Sequence, residues 1–252
     1  MAEKILEVCA FTLETCIIAE GVGATRVELC DNPLEGGTTP AYGFIRQVME
    51  RVNMDVFPII RPRAGNFCYS TDEYQMMKYD IKACLDLGCA GISVGVQNIN
   101  GEIDVEGMKR IVDWAGGMQV TCHRVFDTTP DPFTALETLI DCGVTRVLTS
   151  GQQSTAPEGS TLLAQLVEQA SENIIIMPGA GVKSGNLEQL ILSCGANEYH
   201  TSARIAVDNP LSYINPKVND YGKVYVADEI ELRAIMSILA KHSFGNALLT
   251  NL

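Results

Sequence analysis

Short apolar runs alternate with longer stretches of helical periodicity along most of the chain. The apolar runs have the length of buried strands, while the intervening stretches repeat apolar residues about every three to four positions, which is typical of helices. Glycine follows three of the helical stretches, at Gly88, Gly143 and Gly195, where it suits the left-handed end of a helix. The predicted strands cover residues 4–11, 25–31, 55–62, 90–96, 118–127, 145–151, 173–181 and 197–204.

Eight strands that alternate with helices predict an α/β fold, a (β/α)8 TIM-type barrel. A doubly wound open sheet uses the same alternating units, but the strand count and the lack of an opening GxGxxG turn favour the barrel. We expect a single domain over residues 1–252. Residues 205–227, which are polar and contain proline, predict an irregular excursion after the eighth strand, over the barrel mouth or at a subunit contact. Residues 228–243 predict a C-terminal helix.

The charge balance narrows the class of partner. Lys and Arg number 18 against 31 Asp and Glu, which gives a net charge of −13. A field of that sign repels nucleic acid and anionic membranes unless a local basic patch is present, and the sequence contains no such cluster. We therefore expect a protein that binds neither nucleic acid nor membrane.

The N-terminal residues and the cysteines indicate a compartment. The chain enters a predicted strand at residue 4 without a basic segment, a long apolar run or a cleavage signal. Its nine cysteines are scattered and form no CxxC pair, so neither a zinc knuckle nor a disulfide framework is indicated. We expect a cytoplasmic protein with reduced thiols, most of which fill the core.

The stretch "VFPIIRPRAGNFCYS" (56–70) is unusual because two arginines, Arg61 and Arg63, follow the most apolar strand. Period-2 alternation places both guanidinium groups on one face. In a barrel, the carboxyl ends of the strands carry the chemistry. We therefore expect the two arginines to neutralise buried carboxylates and to bind an anionic ligand.

Other polar residues fall in the same strands or at their ends. Closure of the barrel makes strand eight a neighbour of strand one, so histidines and acidic residues should meet at one rim. An inert structural layer of ion pairs is the alternative interpretation of the same residues. The candidate catalytic residues are Glu7, Glu28, His123 and His200, and further ligand-binding candidates are Asp127, Ser202 and Arg204.

Two glycine-rich turns add anion-binding candidates. "PGAGV" (178–182) contains Gly179 and Gly181 and precedes a predicted helix start at Ser184, and "EGGTTP" (35–40) follows the second strand. Backbone N–H groups at a helix N-terminus attract phosphate, and the loop after strand seven is a frequent phosphate site in barrels. The same glycines are also compatible with plain loop geometry.

The cysteines of the first two strands suggest a metal. "LEVC" and "VELC" repeat a Glu-x-Cys pattern on strands that should be parallel neighbours, which brings Cys9 and Cys30 together. Two thiolates suit a soft monovalent ion such as Cu(I). The alternative is that both cysteines are small buried apolar residues.

Taken together, the motifs resemble the CutC family of copper homeostasis proteins. The motifs that carry the resemblance include "LEVC", "RVELCDNPLEGGTTPAYG", "IIRPRAGNFCYSTDE", "VTCHRVFD", "RVLTSG", "MPGAGV" and "YHTSAR". The resemblance implies a TIM-type barrel, a cytoplasmic location, homo-oligomerisation and copper-ligating cysteines that match Cys9 and Cys30. Cys122, Val125 and Ala41 depart from the family pattern, and the C-terminal 48 residues match it poorly.

Three functional hypotheses follow. The first is a copper-homeostasis protein that binds Cu(I). The second is an enzyme that acts on a small phosphate- or carboxylate-bearing metabolite at an Arg/His/Glu site. The third is a scaffold whose oligomer surface matters.

Overall fold

The computed structural model describes residues 3–208, 210–215, 217–218 and 223–243. Its strands are β1 Ile5–Ala10, β2 Arg26–Leu29, β3 Asp55–Ile60, β4 Gly91–Val94, β5 Gln119–Cys122, β6 Arg146–Thr149, β7 Ile175–Pro178, β8 Glu198–Thr201, β9 Arg204–Ala206 and β10 Tyr225–Ala227. Its α-helices are α1 Leu13–Gly21, α2 Tyr42–Met49, α3 Thr71–Asp86, α4 Val105–Ala115, α5 Pro132–Asp141, α6 Ser160–Ala170, α7 Ser184–Cys194 and α8 Glu229–Ser243.

The first eight strands form a parallel sheet that curves into a nearly closed barrel. Their order is β7-β6-β5-β4-β3-β2-β1-β8, and β7 and β8, at the two ends of this order, lie next to each other. Helices alternate with the strands, and apolar side chains from both pack into one large core. The predicted (β/α)8 TIM-type barrel is confirmed. The prediction of a single domain over residues 1–252 includes residues that lie outside the described ones, so it stays a prediction.

Local sequence features set the ends of several elements. Helix α3 begins with a capping box, in which the Glu73 N–H donates to the Ser70 hydroxyl and the Ser70 N–H donates to the Glu73 carboxylate. Gly88, Gly143 and Gly195 have φ angles of 77°, 79° and 70°, as the left-handed helix end requires. Each of these turns leads directly into the next strand region.

All eight predicted strands were longer than the observed ones, and two of the excesses misplaced candidate site residues. The fifth strand ends at Cys122, and a 3₁₀ helix over Arg124–Thr128 follows it, so Asp127 is not on a strand. The eighth strand ends at Thr201, and Arg204 belongs to the separate strand β9.

The segment 205–227 is less irregular than predicted. Strand β9 pairs antiparallel with β10, so the excursion leaves and re-enters the barrel through a two-stranded sheet. Residues 209, 216 and 219–222 of this segment lie outside the described residues. The predicted helix over 228–243 is present as α8. None of the described helices combines the length and the apolar character needed to cross a membrane.

Candidate functional site

A layer of buried ion pairs forms the floor of the candidate site. Arg26 Nε donates to Glu7 Oε2 over 2.5 Å, and the other side of the Arg26 guanidinium is paired with Glu198. Arg146 Nε also donates to Glu198, at 2.5 Å. Both guanidinium carbons lie 5.6 Å from the ring centre of Phe57, between them. Buried carboxylates and guanidinium groups thus neutralise one another inside the barrel.

His200 rests on this layer and links it to the cavity above. Its Nδ1 lies 2.7 Å from Glu7 Oε1, and its Nε2 lies 3.8 Å from Glu28 Oε2. Burial opposes the charged imidazolium, but Cys9, Glu7 and Glu28 outweigh it and raise the His200 pKa well above 6.5. Burial likewise opposes the Glu7 carboxylate, but Arg26 and His200 lower its pKa to about 2. His200 and Glu7 therefore form a charged pair at neutral pH.

Two cysteines and a carboxyl group lie beside His200. The Cys9 and Cys30 sulfurs are in hydrogen-bond contact at 3.7 Å, and Cys30 Sγ lies 3.5 Å from Glu28 Oε2. The hydrogen bond from Cys30 lowers the pKa of Cys9 to about 6, with help from His200. Burial, followed by the neighbouring Cys9, raises the Glu28 pKa to about 8. These pKa shifts favour the Cys9 thiolate, the His200 imidazolium and the protonated Glu28 carboxyl group.

A cavity of about 880 Å³ opens above this cluster at the carboxyl ends of the strands. The predicted site residues that line it are Cys9, Glu28, Arg61, His123, Gly181, His200, Ser202 and Arg204. Two further lining residues, Ala180 and Ala203, have φ angles of 71° and 40°, in the left-handed region that only glycine adopts easily. Most of the predicted site residues therefore lie together at one rim of the barrel.

His123 is a neutral histidine in the wall of this cavity. Its Nδ1 accepts a hydrogen bond of 3.1 Å from the Val125 N–H, so Nε2 carries the proton. Burial, followed by the nearby Arg61, lowers the pKa of His123 to about 3. The two predicted catalytic histidines therefore differ in charge, with His123 neutral and His200 cationic.

The two arginines after β3 separate. The Arg61 guanidinium turns into the barrel mouth and donates to the carbonyl oxygens of Glu35, Gly37 and Gly65 at 2.7–3.0 Å. Arg63 pairs with Glu73 and also donates to the carbonyl oxygens of Asn66 and Cys68, so it holds the loop outside the cavity lining. The carboxylates of the barrel interior are neutralised by Arg26 and Arg146, and not by these two arginines.

Asp127, also predicted to bind ligand, faces the loop after β6. Its carboxylate accepts hydrogen bonds from Thr149 Oγ1, the Ser150 N–H and the Gln152 N–H at 2.5–3.1 Å, and it pairs with Arg124. The carboxylate organises that loop and lies outside the lining of the main cavity.

The predicted phosphate turn holds a carboxylate of the chain itself. At the start of α7, the Ser184 N–H and hydroxyl donate to the two carboxylate oxygens of Glu231 at 2.7 and 2.8 Å. A side chain added at Gly179 would come within 2.4 Å of Leu148 and 3.2 Å of His200, so that glycine makes room for packing. Gly181 lines the cavity with a φ of 72°.

Arg26, Arg146 and Glu198 were not predicted as site residues, because they are the first residues of β2, β6 and β8, away from the carboxyl ends where barrel sites form. A detectable signal was present, since Arg26 is two residues before Glu28 and Glu198 is two residues before His200. Side chains two positions apart on a strand share a face, so both residues had to point into the barrel with their partners.

Comparison with known proteins agrees with these observations. The model of the CutC family matches residues 4–205. A CutC family protein of Parabacteroides distasonis is 46% identical over 230 residues, which covers 91% of this chain and 94% of the relative.

Solved structures give the same picture. A CutC protein from Streptococcus agalactiae, whose name assigns it to copper homeostasis, matches with a TM-score of 0.75 and 32% identity over 79% of this chain and 98% of that one. N-(5'-phosphoribosyl)anthranilate isomerase from Pyrococcus furiosus matches with a TM-score of 0.56 over 94% of this chain and 99% of that one; at 15% identity it shares the fold alone. The chain belongs to the CutC family.

Proposed function

We propose that this protein binds Cu(I) through Cys9 and Cys30 and acts in copper homeostasis. The observation that carries the proposal is the 3.7 Å contact between the buried Cys9 and Cys30 sulfurs, and the lowered pKa of Cys9, about 6, favours a thiolate ligand there. Sulfur ligands select soft ions such as Cu(I) over the hard divalent cations. The ligand atoms of Cys9, Glu28 and Cys30 all lie within 4.8 Å of one another, so the carboxyl group is available as a third ligand.

The residues around Cys9 and Cys30 favour binding of Cu(I) by the two cysteines. His200 beside Cys9 stabilises the thiolate before an ion arrives, while Cys30, whose pKa is raised by its contact with Cys9, gives up its proton on binding. Cys9 lines the cavity, so the pair is reached from the barrel mouth. The CutC relative named for copper homeostasis supports the same role.

Anaerobic titration with Cu(I), in competition with a colorimetric chelator, tests the proposal. The wild-type protein should bind one ion per chain, and the double variant Cys9→Ala/Cys30→Ala should lose this binding. Cys84→Ala/Cys89→Ala is the matched control, because it removes another buried pair of thiols in mutual contact outside the cavity. Tight stoichiometric binding by the Cys9/Cys30 variant would refute the proposal.

Catalysis on a small phosphate- or carboxylate-bearing molecule is a second candidate function. It is favoured by the hydrogen bond between His200 and Glu7 and by the protonated Glu28 opposite, an arrangement suited to proton transfer. A thermal-shift screen of phosphate and carboxylate metabolites should identify binders. A binder converted by the wild type and not by His200→Asn supports catalysis, and a binder that the wild type returns unchanged contradicts it.

We also infer a cytoplasmic location and a homo-oligomeric state. All nine cysteines are free thiols, as a reducing compartment favours.

Apolar side chains are exposed in the segment after β9, including Tyr213 at 72% and Ile214 at 58%, and such patches commonly mark contacts between copies. Light scattering coupled to size exclusion tests the oligomer, and a monomer at micromolar concentration would contradict it.

A further inference from the structure

Arg61 is a buried cation without a counterion among the residues described. Its side chain is in the barrel mouth and the residue is only 6% exposed, and its terminal nitrogens donate to the backbone carbonyls of Glu35, Gly37 and Gly65. The carboxylates below do not compensate it, because Glu7 is already paired with Arg26 and His200, and Glu198 is already paired with Arg26 and Arg146. A buried charge left unpaired is unfavourable, so this site favours an anion.

Two N–H donors in the same wall also lack an acceptor. Arg61 Nε and His123 Nε2 are fully shielded from water, and neither has a hydrogen-bond partner within the described part of the chain. His123 is 4% exposed, and its Nδ1 is occupied by Val125, which fixes the proton on Nε2. Native proteins rarely leave buried donors unpaired without a reason. One cation and two free N–H groups match the two oxygens of a carboxylate.

The ring of Phe67 lies against both groups. Its centre is 4.9 Å from the centre of the His123 ring and 5.0 Å from the Arg61 guanidinium carbon. The Phe67 backbone is fixed by a hydrogen bond of 2.9 Å from the Gln97 N–H to its carbonyl oxygen. The half-buried side chain lines both the main cavity and a second cavity of about 520 Å³, so the ring has space on two sides.

We propose that Arg61 and His123 form a carboxylate-binding subsite that the Phe67 side chain covers in this structure and uncovers when a ligand enters. Phosphate is disfavoured as the ligand, because the helix N-terminus that commonly receives it holds Glu231. This inference rests on the second candidate function, for which it specifies carboxylates as the substrate class. It does not depend on copper binding. A failure of copper binding leaves it intact, and its own failure leaves the copper proposal intact.

Titration with acetate, followed through the imidazole nitrogens by NMR, tests the subsite. The chain has three histidines, so the Nε2 signal of His123 is readily assigned. Phe67→Ala should bind acetate about tenfold or more tightly than the wild type, since one freed hydrogen bond to a charged group corresponds to about that factor. Phe11→Ala, which removes another ring from the same cavity, should leave the affinity unchanged.

A second variant keeps the test falsifiable. His123→Asn retains an acceptor for the Val125 N–H and removes the Nε2 donor, so added to Phe67→Ala it should abolish the tenfold gain. The same gain in a Cys9→Ala/Cys30→Ala background confirms independence from copper. Equal acetate affinity in Phe67→Ala and Phe11→Ala, a gain that survives His123→Asn, or tighter binding of inorganic phosphate than of acetate would each overturn the proposal.

Discussion

His200 Nδ1 lies 2.7 Å from Glu7 Oε1, across the junction between the eighth barrel strand and the first. The two residues are 193 positions apart in sequence and directly opposite each other in the strand register. Closure of the barrel therefore creates the charged pair on which the thiol cluster rests.

The buried ion-pair layer should be sensitive to loss of its shared carboxylate. Glu198→Gln leaves Arg26 and Arg146 facing a neutral amide, so we expect a loss of about 3–5 kcal/mol in the free energy of unfolding. Urea denaturation measures it. Asp86→Asn, which breaks an exposed pair with Lys82, should have a much smaller effect. Similar losses in the two variants would mean that the layer is not a stabilising network.

His123 should reduce stability under mildly acidic conditions. Its pKa is about 3 in the folded protein against 6.5 ordinarily, because the ring is buried and Arg61 is near. As the pH falls below 6.5, the unfolded chain takes up a proton that the folded chain refuses, so the free energy of unfolding decreases. Denaturant titrations between pH 7 and 5 should show a shallower slope for His123→Asn. An unchanged slope would contradict the neutral assignment.

Cys9 should be the most reactive thiol in the metal-free protein at low pH. With a pKa of about 6, it remains largely thiolate at neutral pH, whereas burial raises the pKa of Cys16 to about 12. Mass spectrometry after short exposure to iodoacetamide should find Cys9 labelled first, with a half-maximal rate near pH 6. A labelling rate that rises only above pH 8 would rule out the thiolate.

Gly179 should tolerate no side chain. The added methyl group in Gly179→Ala meets Leu148 and His200, and we expect a destabilisation of about 1–3 kcal/mol together with a shift of the His200 imidazole signals. Gly185→Ala is the matched control in the neighbouring helix, where nothing lies within 4 Å, and it should be neutral or stabilising. Thermal unfolding and histidine NMR compare the two variants. Unperturbed His200 signals in Gly179→Ala would contradict the packing argument.

Periodicity predicted the fold because barrel strands and helices differ clearly in their apolar spacing. The ends of elements were harder, as Asp127 illustrates. Its carboxylate accepts hydrogen bonds from Thr149 at the end of β6 and from Ser150 and Gln152 in the following loop, and such long-range contacts favour a 3₁₀ turn after Cys122 over a longer strand. No local pattern encodes that partner, so the strand was extended too far.

The candidate site was likewise predictable only in part. Glu7, Glu28 and His200 meet as predicted, and so do Cys9 and Cys30, because parallel register and barrel closure suffice to bring them together. Arg63 did not join Arg61, since β3 ends at Ile60 and strand alternation no longer applies beyond it. Glu231 could not be foreseen at the start of α7, because its placement depends on how the last helix packs.

The sulfur ligation of bound copper tests the central claim most directly. X-ray absorption of protein loaded anaerobically with one equivalent of Cu(I) should show sulfur neighbours from Cys9 and Cys30, and these should disappear in Cys9→Ala/Cys30→Ala but persist in Cys84→Ala/Cys89→Ala. Copper surrounded only by nitrogen and oxygen in the wild type, or sulfur ligation that survives in the Cys9/Cys30 variant, would contradict the account.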